Sequence, residues 1–161
     1  MNRYKRLPAA LAALLASGCA GYPTAGLAPG APEAQVRQAM GPPALELPEP
    51  GGGRELVYPH GPLGTETFMA HLDTAGALRR VEQVLTDEHF QAIQPGQTQD
   101  EVLRRLGPPA EKMPFPRSST IAWTWRYMDG WGYTSDFSVT FAANGLVVDK
   151  IAVRLQRRGD R

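Results

Sequence analysis

Residues 30–44, GAPEAQVRQAMGPPA, and residues 96–110, GQTQDEVLRRLGPPA, align without a gap at an offset of 66. Gly30, Val36, Gly41, Pro42, Pro43 and Ala44 recur as Gly96, Val102, Gly107, Pro108, Pro109 and Ala110, and Met40 is matched by Leu106. A shared Gly-Pro-Pro means little in a chain with 17 glycines and 15 prolines. The apolar positions match as well, and together these point to a duplication. Two copies make a pair, not the longer array of a solenoid.

Each copy predicts a short helix. In the second, Thr98 suits an N-cap and Glu101 completes a capping box. Val102, Leu103 and Leu106 then fall on one apolar face. Gly107 can adopt a positive φ past the helix end, and Pro108 stops its continuation. In the first, Pro32 suits the opening turn. Val36, Ala39 and Met40 form the buried face, and Gly41-Pro42 ends it. Helices of about two turns are unstable alone and must dock on a sheet.

Strands follow each helix. Ile121, Trp123, Trp125 and Tyr127 alternate with Ala122, Thr124, Arg126 and Met128, a period of two in strand-favouring residues. Asp129-Gly130 marks a turn. Phe137, Val139 and Phe141 alternate with Ser138 and Thr140, and Asn144-Gly145 signals a hairpin. Val147, Ile151, Val153 and Leu155 share one parity of a last strand, with Asp149 the exception. The first half holds weaker counterparts: Leu56 and Tyr58, then Phe68, Ala70 and Leu72, then Leu78 to Leu85 after the Ala75-Gly76 turn. Gly51-Gly52-Gly53 and Met113 to Ser119 read as loops. The expected fold class is α+β, a tandem duplicated module of one helix and three antiparallel strands. Residues 30–86 form the first copy and 87–155 the second. Short helices on one face of each sheet leave the other face free, and the two free faces side by side would form one broad surface.

The chain ahead of the first copy has a different character. Arg3, Lys5 and Arg6 form a basic region, residues 7–16 (LPAALAALLA) a short apolar run, and Ala16-Ser17-Gly18 a small-residue site before Cys19. That is the layout of a secretory signal, assigned to residues 1–18. Ten helical residues rise about 15 Å, half of a bilayer core. Ala16-Ser17-Gly18-Cys19 resembles a bacterial lipobox at its last three positions, with Ala16 where Leu is usual. Cys19 is therefore expected to carry the lipid that anchors the chain to a membrane. Residues 19–29 hold this cysteine and a Gly/Pro/Ala-rich tether, and residues 156–161 are a basic tail. Cys19 is the one cysteine, so no intramolecular disulfide is possible.

Composition bounds the rest. With 42% hydrophobic and 20% charged residues the chain suits a folded domain. Removing residues 1–18 takes away three of the 17 bases and no acid, leaving 14 bases against 16 acids. A net charge of −2 argues against general nucleic-acid binding.

Signals for chemistry are sparse. The three histidines, His60, His71 and His89, form no i, i+4 pair, so a zinc site is not expected and no cofactor is inferred. His71 and Asp73 share a strand face that reads as solvent-facing. No serine sits in a Gly-x-Ser-x-Gly elbow, and Gly51-Gly52-Gly53 lacks the Lys-Ser/Thr pair of a phosphate loop. No small-molecule substrate is inferred. Two features suit binding instead. Trp131 and Tyr133 flank Gly132 in a loop, and such aromatic side chains are enriched at binding hot spots. Arg154, Arg157, Arg158 and Arg161 make a basic end.

The second copy also carries a family pattern. Gly96, Thr98, Glu101, Val102, Leu106, Gly107 and Pro109, then Trp123, Trp125 and Tyr127, then Phe141, Gly145 and Val147 resemble the SmpA/OmlA (BamE-like) outer-membrane lipoprotein family over about residues 90–155. The resemblance implies a small αβ lipoprotein on the periplasmic side of the outer membrane. It also implies a fold similar to β-lactamase-inhibitor proteins, whose two tandem copies form a protein-binding sheet. Members include an accessory subunit of the machinery that inserts β-barrel proteins; that subunit has one module, whereas this chain has two. The expected function is that of a non-catalytic envelope lipoprotein that binds a protein partner. An inhibitor-like or sensor protein of the same fold is the alternative, and a periplasmic hydrolase using His71 or His89 is a rival of another class.

Overall fold

The computed structural model describes residues 24, 26–59 and 64–155. The expected signal segment, Cys19, most of the tether, His60 and the 156–161 tail lie outside the described residues. Within them the fold is α+β: two four-stranded antiparallel sheets with short helices.

The first half runs α1 (Glu33–Met40), β1 (Leu45–Pro48), β2 (Arg54–Pro59), β3 (Thr67–Leu72) and β4 (Leu78–Gln83). The second runs α2 (Asp87–Gln91), α3 (Gln99–Leu106), β5 (Glu111–Phe115), β6 (Thr120–Met128), β7 (Thr134–Phe141) and β8 (Val147–Arg154). Each sheet is a simple meander, β1-β2-β3-β4 and β5-β6-β7-β8. The three strands expected per half are four. β1 and β5 were missed because each is short and contains a proline, Pro48 and Pro114, which suits only an edge strand. β5 occupies part of the stretch read as a loop from Met113 to Ser119.

The halves share backbone hydrogen bonds at equivalent positions. α1 and α3 occupy equivalent positions at the offset of 66. Both helices end in a glycine of positive φ, Gly41 at 82° and Gly107 at 72°. Gly30 N–H donates to the Leu78 carbonyl at 2.7 Å, and Gly96 N–H to the Val147 carbonyl at 2.8 Å. Leu78 N–H donates to Ala31, and Val147 N–H to Gln97. Loops absorb the drift in offset, from 66 at β1 and β5 to 69 at the last hairpin, where Leu72 pairs Leu78 and Phe141 pairs Val147. A bulge precedes both of these pairs.

The capping box at Thr98 is formed: its hydroxyl accepts from Glu101 N–H, and the Glu101 carboxylate accepts from Thr98 N–H at 2.7 Å. Pro32 stands one place earlier than an opening-turn residue, as the N-cap of α1 without a side-chain cap bond. Val36 and Met40 pack with Leu56, Tyr58, Ala70, Leu72 and Leu78. In the second core Val102 and Leu106 meet Trp123, Trp125, Phe137, Val139 and Phe141, with larger aromatic side chains on the sheet. Trp125 Nε1 donates to the Gly107 carbonyl at 3.0 Å, tying the sheet to the helix end. α2, unforeseen in the sequence, lays Phe90 against Phe137 at 4.1 Å between ring centroids.

The second face of the first sheet is not free. Val57, Met69 and Val84 on that face are buried, with Leu45 and Leu47 packed beside them. The end of α3 covers it: a Cβ on Gly107 would lie 2.8 Å from Thr67 Cγ2 and 3.0 Å from Val57 Cγ1. Arg104 donates to the Pro48 carbonyl at 2.9 Å. The expected pair of open sheets is thus corrected to a stack in which α3 has the first sheet on one side and the second on the other. Only the second sheet keeps an open face.

The last strand also departs from its alternation. Val147 is buried opposite Phe141, but the bulge at Thr140/Phe141 inserts Val148. Parity inverts beyond it, so Ile151 and Val153 pair with Ser138 and Asp136 on the outer face and are exposed. No described helix is long and apolar enough to cross a membrane.

Candidate functional site

The hairpin joining β6 to β7 is built around Asp129. Its carboxylate accepts from the N–H of Trp131 at 3.0 Å and of Tyr133 at 2.9 Å, and from Arg154 Nη2 at 2.7 Å. Burial works to raise the Asp129 pKa, but the Tyr133 and Trp131 N–H groups and the Arg154 guanidinium outweigh it. The carboxyl is held below its ordinary range. Arg154, expected as part of a solvated basic end, is thereby part of the hairpin, and it also stands 4.5 Å from the Tyr133 ring centroid. The result is a fixed loop that holds Trp131 outward, 82% exposed, with Tyr133 partly exposed beside it. Trp123, Trp125 and Tyr127 are core, as the alternation of β6 requires.

The open face of the second sheet extends from this hairpin. Its centre is polar: Arg126 pairs with Asp136 at 3.0 Å, and the Thr124 and Ser138 hydroxyls lie 2.8 Å apart. Its borders are apolar and exposed, Met113 and Phe115 on β5 and Ile151 and Val153 on β8. A polar centre between two apolar edges suits contact with another surface better than enclosure of a small molecule.

A second site lies between the halves. His71, read as solvent-facing, is only 3% exposed. Glu55 stands directly across from it on β2, Glu82 approaches from β4, and Glu49 from the β1–β2 turn. His71 Nδ1 is 3.3 Å from Glu49 and 3.4 Å from Glu55, and Nε2 is 3.1 Å from Glu82. Burial alone would lower the His71 pKa; the Glu55 hydrogen bond and the charges of Glu55 and Glu82 outweigh it and hold it raised. Arg79 pairs with Glu49 and Arg80 with Glu82. One Glu55 oxygen, Oε2, is buried without a hydrogen-bond partner. A cleft of about 330 Å³ opens beside these groups, with Arg104 and Arg105 of α3 on its far wall.

Sequence reasoning missed this cluster because its members come from three strands and a turn, and because it took the face that carries them for solvent. The signal present was polar residues in three successive strands, Glu55 in β2, His71 in β3 and Arg80 with Glu82 in β4, which the pairing brings side by side. Asp73 does not orient His71. It accepts from the N–H groups of Ala75 and Ala77 at 2.9 Å and shapes the hairpin turn. His89 lies in the middle of α2, its Nδ1 2.9 Å from the Thr86 hydroxyl of the N-cap.

No family model matches the chain, and no curated protein matches it. Among solved structures, one described as the osmotically inducible lipoprotein OsmE is 21% identical, covering 44% of this chain and 82% of its own, with a TM-score of 0.39. A Streptococcus mutans protein described as a β-lactamase inhibitor is 14% identical, covering 78% of this chain and 84% of its own, with a TM-score of 0.29.

Proposed function

We propose that this chain is a non-catalytic, lipid-anchored envelope protein that binds a protein partner through the open face of its second sheet and the Asp129–Tyr133 hairpin. The observation that carries the reading is Trp131, held 82% exposed on a loop braced by Asp129 and Arg154. A large aromatic ring presented by a pre-ordered loop loses little conformational freedom on binding, which favours a hot spot. The apolar borders of the same face, Phe115 and Met113 on one side and Ile151 and Val153 on the other, extend the contact surface. Attachment follows from the sequence: the basic region, the short apolar run and Cys19 fit a lipidated N-terminus. More than one acyl chain makes such an anchor stable. Ala20 after the cysteine is not the Asp associated with inner-membrane retention in some bacteria, which favours the periplasmic side of the outer membrane. The partner is an envelope protein, and barrel assembly or envelope maintenance is the setting the family resemblance favours.

Two measurements test this. Intact mass spectrometry of the detergent-extracted protein should give a chain beginning at Cys19 with added acyl mass; a free Cys19 thiol refutes the anchor. A photo-crosslinking side chain placed at Ser138 or Tyr133 in intact cells should capture one defined envelope protein, and the same group at Gln38 on α1 should not. Capture from Gln38 alone would put the binding surface elsewhere.

A further inference from the structure

We infer that Glu49, Glu55 and His71 form a binding site for a divalent transition-metal cation, with zinc the best fit. Zinc takes imidazole nitrogen and carboxylate oxygen ligands at about 2.0–2.2 Å, in tetrahedral geometry. In a tetrahedron with bonds of about 2.0–2.1 Å, neighbouring ligand atoms stand about 3.3–3.4 Å apart. His71 Nδ1 lies 3.3 Å from Glu49 Oε1 and 3.4 Å from Glu55 Oε1. The three ligand atoms all lie within 4.8 Å of one another, so the two carboxylates need only a small closing movement.

The ring is already aimed for this role. Nε2 faces Glu82 at 3.1 Å, a carboxylate that would hold the proton on that nitrogen once Nδ1 binds a cation between Glu49 and Glu55. A carboxylate on the far ring nitrogen is the usual orienting partner of a metal-bound histidine. Charge points the same way. Arg79 pairs with Glu49 and Arg80 with Glu82, whereas Glu55 makes no direct arginine ion pair among the described residues, and its Oε2 is buried without a hydrogen-bond partner. A buried carboxylate with an unmet oxygen calls for a positive centre. A cation between Nδ1 and the two carboxylates supplies it. The cleft of about 330 Å³ beside His71 gives the ion a path from solvent and room for a water as fourth ligand. The site is separate from the hairpin and open sheet face, so its fate does not decide the partner-binding reading.

The test uses the full chain in mild detergent, with Cys19→Ser so that no thiol competes for metal. After treatment with a chelator, Zn²⁺ is titrated against a chromophoric competitor. One ion per chain is expected. His71→Ala and Glu55→Gln should each weaken binding by at least about 30-fold, Glu82→Gln by about 10–100-fold, and His89→Ala should leave it unchanged. Circular dichroism checks the folding of each variant. In case a variant does not fold, ¹⁵N-histidine NMR of the otherwise unmutated chain gives a direct reading, since zinc should shift the Nδ1 resonance of one histidine, His71. The absence of saturable 1:1 binding, wild-type affinity in both His71→Ala and Glu55→Gln, or a zinc shift at another histidine would overturn the assignment.

Discussion

Gly41 and Gly107 end equivalent helices with nearly the same backbone, φ 82° and ψ −169° against φ 72° and ψ −173°. Their surroundings differ. A Cβ on Gly41 meets nothing within 4 Å, whereas one on Gly107 comes within 3.0 Å of Thr67 and Val57 on the first sheet. Alanine at either position pays the strain of a backbone region that is nearly glycine-only, about 1–3 kcal/mol. Only Gly107→Ala adds overpacking at the junction of the two halves, a further cost of about 1–3 kcal/mol. Gly41→Ala should therefore destabilise by about 1–3 kcal/mol and Gly107→Ala by about 2–6. Strain nearly cancels in the difference, which isolates the contact between α3 and the first sheet. Urea unfolding followed by tryptophan fluorescence measures both, because Trp123 and Trp125 lie in the second core, where Trp125 bonds to the Gly107 carbonyl. In a chain of this size each kcal/mol shifts Tm by about 2–4 °C, so the two variants are resolvable. Equal losses, or a larger loss for Gly41→Ala, would refute the stacked arrangement of the halves.

Other outcomes follow from single contacts. Thr98→Ala removes the hydroxyl of the capping box and should cost about 1 kcal/mol in chemical denaturation; no loss would mean that the cap adds nothing to α3. Asp129→Asn should lower Tm at neutral pH by releasing Arg154 and weakening the hairpin. A carboxyl with a lowered folded-state pKa contributes its stability above its ordinary value of 3.8 and loses it as pH falls through the folded value. The Tm gap between wild type and variant should close under strong acid, and a gap that stays constant from pH 7 to pH 2 would exclude Asp129 as its source. Trp131→Ala should change stability by no more than about 0.5 kcal/mol while weakening partner capture by about 2 kcal/mol, close to 30-fold. A marked fall in Tm would show Trp131 packed into the fold, and unchanged capture would remove it from the binding surface.

Much of the fold was legible because it is written in local chemistry. The capping box, the Gly-Pro stops and the alternation of Trp123, Trp125 and Tyr127 each act over a few residues, and a duplicated sequence repeats such signals at a fixed offset. The exposure of Trp131 and Tyr133 was legible for a similar reason: an Asp-Gly turn with aromatic residues around Gly132 leaves them no strand face to bury. The edge strands β1 and β5 were not, because four or five residues containing a proline carry no period that a reader can separate from a loop. The inverted parity of Ile151 and Val153 was hidden too, since a bulge is a property of the pairing of two strands.

The sequence by itself determined the elements that depend on neighbours along the chain: the capping box of α3, the glycine stops of α1 and α3, the hairpin turns, and the core-facing side of β6 and β7. Only the tertiary structure decided what each sheet face meets. His71 and Glu55 look like polar residues on a solvated face until α3 of the second half is laid over the first sheet. Burial then turns an ordinary row of charged side chains into a cluster with an unmet carboxylate oxygen. The physical reason is that solvation is set by what lies above a face and not by the residues within it, so a pattern of alternation identifies two sides of a strand without saying which of them water reaches.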